Sequence, residues 1–230
     1  MSMTRFPNGL STRKSIDPFG AYTHPDETDQ HAYFNDFNTY VAGDWTITVV
    51  GTSTPALTAG DGGLLAITTS ATSGDSAFLQ KTIASFSFET GKPAWFSARF
   101  KVSTLATTAV MGVQVIDTTP LDVTDGIYFL TTTATGAVTG IVRKNATTGS
   151  SSVAVGTLVA DTYTELAWYW DGKDTIAFYQ DRVQKGSITG VAANYLPDAS
   201  ALAQSFGIQT DSANARTMTV DYVMVAKSRR

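Results

Sequence analysis

Residues Ala94 to Val102 alternate without a break: Phe96, Ala98, Phe100 and Val102 fall on one side, and Trp95, Ser97, Arg99 and Lys101 on the other. Successive side chains of an extended chain point to opposite faces, so a sustained two-residue period marks a strand with one face buried. The same period carries Thr164, Leu166, Trp168 and Trp170 on one face. It also runs through Arg216–Ala226, where it places Met218, Val220, Tyr222 and Met224 together. Shorter apolar runs give further strands at Trp45–Gly51, Leu64–Thr69, Ser76–Ile83, Ala109–Ile116, Ile127–Thr131, Val138–Arg143 and Gln204–Thr210. Asp171-Gly172, between the Trp168/Trp170 run and Thr175–Gln180, is a strong hairpin signal. One helical turn is expected around Pro197–Gln204, capped by Asp198 or Ser200. Many short strands with little helix between them define an all-β chain, folded as two antiparallel sheets packed into a sandwich.

The 230 residues suit one large domain with an added segment. That segment is residues 1–33, where Pro7, Gly9, Pro18, Gly20 and Pro25 interrupt any period. Its apolar residues Phe6, Leu10, Ile16, Phe19 and Tyr22 are more than a solvated tail would carry. The expectation is an extended N-terminal arm over 1–33 that docks on its own domain or on a partner, followed by a sandwich over 34–230. Met1–Phe6 has no apolar core of a secretory leader, and no run of about 18 apolar residues would span a membrane.

Charge and composition narrow the chemistry. A net charge of −4 argues against a nucleic-acid partner. The absence of Cys removes thiol nucleophiles and thiolate metal sites. Retaining glycoside hydrolysis needs two carboxylates about 5 Å apart. On one strand that means acids at i and i+2 or i+4, and Glu89 and Glu165 have no such neighbour within a strand, while Glu27 and Asp29 fall in the arm. Both His24 and His31 also lie in the arm, away from any Gly-x-Ser-x-Gly elbow. The stretch from His24 to His31 could supply metal ligands, and Asp61, Asp122 and Asp125 could hold calcium, but both sets read more simply as turn residues. The expectation is therefore a chain without catalytic function, metal or cofactor. Of four Trp residues, Trp168 and Trp170 share a face with Leu166 and belong to the core, whereas Trp95 shares its face with Arg99 and Lys101 and is the one placed to stack on a sugar ring.

Three segments carry a resemblance: Thr164–Tyr179 with its Trp-Tyr-Trp-Asp-Gly, Gly91–Phe100, and Phe34-Asn35-Asp36-Phe37 followed by Trp45. Together they resemble the concanavalin and laminin-G-like jelly rolls in virion proteins of tailed bacteriophages. The resemblance implies a jelly-roll sandwich serving as a capsid decoration, or cement, protein. Such a protein would be a homo-oligomer, with a trimer favoured. It would bind the major capsid protein on the outer surface of the virion after assembly in the host cytoplasm. In that setting the arm residues Arg5, Phe6, Leu10, Arg13, Lys14, Ile16, Phe19 and Tyr22 would meet the capsid. One departure is Tyr179-Gln180-Asp181-Arg182, where the family reads Tyr-x-Asp-Gly; Arg at a position that often needs positive φ suggests a different turn type. The alternative reading is a carbohydrate-binding module of a tail fibre or spike, with Trp95 as its stacking residue.

Overall fold

The computed structural model describes residues 10–11, 23–24, 29–145 and 151–230. Strands β1 (Leu10–Ser11) and β2 (Thr23–His24) form a short antiparallel pair of their own. Of the expected arm residues, Arg5, Phe6, Arg13, Lys14, Ile16, Phe19 and Tyr22 lie outside the described residues, as does Asp26. The sandwich follows with β3 (Gln30–Asn35), β4 (Trp45–Val50), β5 (Ala56–Thr58), β6 (Leu64–Thr68), β7 (Ser76–Lys81), β8 (Ala94–Val102) and β9 (Thr107–Gln114). It continues through β10 (Gly126–Thr131), β11 (Ala137–Arg143), β12 (Ser151–Thr157), β13 (Thr164–Trp170), β14 (Ile176–Gln180) and β15 (Val183–Ile188). A single helical turn, α1 (Val191–Asn194), precedes β16 (Ala203–Thr210) and β17 (Thr217–Ser228).

These strands make two antiparallel sheets. The seven-stranded sheet runs β12-β11-β10-β9-β16-β7-β4; the eight-stranded sheet runs β15-β14-β13-β8-β17-β6-β5, with β3 also joined to β17. Strand β17 pairs β8 along one edge, while its other edge pairs β6 over Thr217–Val220 and β3 over Val223–Ser228. Strand β3 thus joins the eight-stranded sheet from Gln30 onward.

The core lies between the sheets and is built from the alternating positions. Phe96, Ala98, Phe100 and Val102 of β8 and Leu166, Trp168 and Trp170 of β13 are buried from one side. Met111, Val113, Ile127, Phe129, Phe206 and Ile208 meet them from the other. Trp168 stacks on Phe96 at 5.9 Å between ring centroids, and Phe129 meets Phe178 edge-on at 5.5 Å. Gly140 of β11 makes room for that pair, since a Cβ there would run into the Phe178 ring.

Three local expectations are corrected. The register of β17 shifts between Val220 and Tyr222, so a β-bulge at Asp221 reverses the alternation. Met218, Val220, Val223 and Val225 face the core, and Tyr222 and Met224 face outward instead of joining Met218 and Val220. The helical turn forms at Val191–Asn194 and not at Pro197–Gln204. Its cap is remote: the Asp174 carboxylate accepts from the N–H groups of Gly190 and Ala192, and the Asp174 carbonyl from that of Val191. The turn between β14 and β15 keeps positive φ despite Arg, with Asp181 at 50° and Arg182 at 65°. It is held by Glu165, whose carbonyl accepts from Asp181 N–H and whose own N–H donates to the Asp181 carboxylate.

Candidate functional site

The two outer faces of the sandwich differ. Over the seven-stranded sheet, the connection between β9 and β10, residues 115–125, folds back as a roof. It is pinned by Gln80 Nε2 donating to the Val115 carbonyl at 3.1 Å, Asp117 N–H donating to Gln80 Oε1 at 2.9 Å, and Gln114 Nε2 donating to the Pro120 carbonyl at 3.0 Å. Val123 of the roof and Phe78, Val110 and Tyr128 beneath it bury one another as a second apolar cluster. A small pocket of about 310 Å³ remains at the roof's edge, against Val50, Phe78 and Leu121.

The outer face of the eight-stranded sheet has no such cover among the described residues. Its side chains follow from the register. Trp95 stands between Tyr169 of β13 and Ala226 of β17; Ser97 between Ala167 and Met224; Arg99 between Glu165 and Tyr222. Phe34 of β3 is 60% exposed and Tyr169 is 40% exposed, large fractions for rings in a sheet. Phe34 lies 6.1 Å from the Tyr222 ring. One end of the face is therefore aromatic, with Trp95 half-buried beside Tyr169.

The other end is charged. Arg99 ion-pairs with Asp221, and its guanidinium lies 4.3 Å from the centroid of the Tyr163 ring. Lys101 reaches the same ring at 5.3 Å and pairs with Asp161 at 2.6 Å, and the Asp161 hydrogen bond raises the lysine's pKa. Glu165 pairs with Arg182 at 3.3 Å. The Tyr222 hydroxyl lies 3.2 Å from Ser97 Oγ. Burial pushes the Tyr222 phenol up, the Ser97 hydrogen bond opposes this, and the nearby Glu165 charge adds to it, so the hydroxyl stays protonated. Gly60, Asp61, Leu64, Arg99, Tyr163 and Asp221 enclose a pocket of about 410 Å³ at this end. Glu165 and Asp221 belong to the strands on either side of β8, roughly 10 Å apart at the backbone by ordinary strand spacing.

Two candidates from the sequence lie on this face, Trp95 on β8 and Asp61 in the wall of the pocket; Trp45, Trp168 and Trp170 are in the core. Leu10 belongs to β1, remote in sequence from the face. Asp122 pairs with Arg143, Asp125 accepts from the Asn145 N–H, and Asp29 pairs with Arg230. Among the described residues no three His, Asp or Glu side chains gather as a metal site would need. Sequence reasoning missed Phe34, Tyr169 and Tyr222. The alternation of β13 marks Tyr169 as outward, but Tyr222 was beyond reach because the bulge inverts its face.

No family model matches the chain, and no curated protein matches its sequence. Solved structures do match its fold. An endo-1,3-β-glucanase from Streptomyces sioyaensis aligns with a TM-score of 0.63 and 12% identity, over 90% of this chain and 99% of the other. A protein of unknown function from Shewanella oneidensis MR-1 gives 0.58 and 18%, over 87% of each chain. The carbohydrate recognition domain of Emp47p gives 0.59 and 10%, over 88% and 98%. The architecture is thus a concanavalin-like jelly roll, as the sequence suggested. The expectation of a chain without catalytic function is overturned, because the structures that share this fold include a glucanase. The search for acids within one strand could not see carboxylates brought to one face from different strands, as Glu165 and Asp221 are.

Proposed function

We propose that the chain is a carbohydrate-binding jelly roll that holds a glycan along the outer face of its eight-stranded sheet. The observation that carries this reading is the passage, on one face left uncovered by the described residues, from Trp95 and Tyr169, neighbours in register, to the Arg99, Asp221 and Asp61 pocket. Rings offer flat apolar surface to the C–H face of a pyranose, and fixed carboxylates and guanidinium groups hydrogen-bond its hydroxyls. The shared fold of a glucanase and a carbohydrate recognition domain supports the same class of ligand.

The test is binding of a panel of neutral polysaccharides, read by tryptophan fluorescence and affinity electrophoresis. Trp95→Ala should weaken binding about tenfold or more, in line with the loss of a buried stacking anchor. A panel without a single ligand would sink the proposal. The same panel reports turnover: release of reducing ends by the wild type, lost in both Glu165→Gln and Asp221→Asn, would make this face a hydrolytic site.

A second reading, decoration of a phage capsid as a homotrimer on the major capsid protein, is favoured by the apolar and basic residues between Arg5 and Tyr22 that precede the sandwich. Saturable co-sedimentation with capsid shells, lost on removing residues 1–28, would support it. Sedimentation of both forms alike would remove the arm from the contact.

A further inference from the structure

Apart from that face, the end of the sandwich where β3 and β8 begin and β17 finishes holds a pocket of about 410 Å³. His31 of β3, Ser85 and Ser87 after β7, Lys92 ahead of β8, and Lys227 and Arg229 from the end of β17 form its wall. Three cationic side chains therefore line one small cavity in a chain whose net charge is −4.

Among the described residues, one carboxylate pairs with them. Glu89 accepts from Lys227 Nζ at 2.9 Å and from Lys92 Nζ at 3.1 Å, and these bonds lower its pKa. Among the described residues no carboxylate ion-pairs with Arg229, whose Nε donates to the Gln30 carbonyl at 2.9 Å. Three cations against one paired carboxylate leave positive charge in excess among the described residues. His31 adds a polar wall without adding to that charge. Burial, then the Arg229 and Lys227 charges, lower its pKa, with a backbone hydrogen bond at Ser85 opposing them. Its ring lies 4.5 Å from Phe86, and its buried Nε2 has no hydrogen-bond partner among the described residues.

We propose that this pocket binds a tetrahedral oxyanion, sulfate or phosphate, either free or borne on a saccharide. Charge-assisted donors converging from separate elements suit a group with several acceptor oxygens. The Ser85 and Ser87 hydroxyls add neutral donors beside the lysines and Arg229. The site stands apart from the glycan face, so each can fail alone.

The experiment is an NMR titration of the full chain with sodium sulfate and with sodium phosphate, against sodium chloride at matched ionic strength. Saturable shifts centred on His31, Ser85, Ser87, Lys92, Lys227 and Arg229 are expected. Arg229→Gln and Lys92→Gln should each weaken binding about tenfold, the scale of one hydrogen bond to a charged group. Lys185→Gln, exposed on the edge strand β15 at the far side of the sheet from β17, should leave it unchanged, and thermal unfolding verifies that each variant is folded. A sulfated oligosaccharide and its desulfated form separate the sources. Tighter binding of the sulfated form than of free sulfate identifies a saccharide-borne anion; equal binding identifies the free ion. Shifts no different from those with chloride, or affinity unaltered by both substitutions, would overturn the proposal.

Discussion

At Asp181 and Arg182 the backbone adopts a conformation that L-residues disfavour, with φ of 50° and 65°. Asp tolerates the left-handed region through its short polar side chain; Arg has no such help. Its ion pair with Glu165 is exposed on the arginine side and adds little. Arg182→Gly should therefore stabilise the fold by about 0.5–1 kcal/mol, measured as a rise in urea midpoint at constant slope. Asp171 holds its hairpin differently. Its Oδ1 accepts from the N–H groups of Lys173, Asp174 and Thr175. Burial pushes this carboxyl up, but the three backbone donors outweigh it and the pKa is lowered. The native carboxylate binds protons less readily than the unfolded one. Its contribution is full above the ordinary aspartate value of about 3.9 and is lost as pH falls through the lowered folded value. Asp171→Ala should cost about 1–2 kcal/mol at neutral pH, like loss of a helix cap. The gap from wild type should close as chemical denaturation is repeated from pH 5 down towards pH 2.

Among the elements, β11 depends on Gly140. Two facing strands can approach closely enough to seat Phe178 against Phe129 because β11 has no side chain at that point. Gly140→Ala overpacks the site and should destabilise by about 1–3 kcal/mol, with a lowered Tm in calorimetry. Strand β17 shows a different economy. Its bulge at Asp221 coincides with the change of partner from β6 to β3 and turns Tyr222 and Asp221 outward. The candidate site thus owes two of its polar groups to one extra residue in a strand.

For the whole molecule, every strand of the two sheets among the described residues lies between Gln30 and Ser228. Removal of residues 1–28 should leave the β-sheet circular dichroism intact and shift Tm by only a few degrees, because no ladder described for either sheet is cut. A loss of cooperative unfolding in the truncated chain would instead make those residues part of the core. The roofed face, and the one that the described residues leave bare, also set where ligands can act. The seven-stranded sheet covers its outer side with its own β9–β10 connection, so a large ligand has the eight-stranded sheet available.

Most strands were legible in the sequence because a half-buried strand writes its burial as a two-residue alternation. The Asp171-Gly172 hairpin was legible because its signal is local, and Trp95 could be marked as outward from β8 alone. The remainder depended on contacts between distant residues. The bulge at Asp221 follows from how β17 is shared between β6 and β3. The helical turn at Val191 is capped by Asp174 from another hairpin, and a search for nearby caps looks in the wrong place. The convergence of Glu165, Arg99 and Asp221 on one face, and of Lys92, Lys227 and Arg229 around one pocket, is set by strand order. Local pattern determines which side of a strand a residue takes. Only the tertiary pairing of strands decides which residues it will meet there.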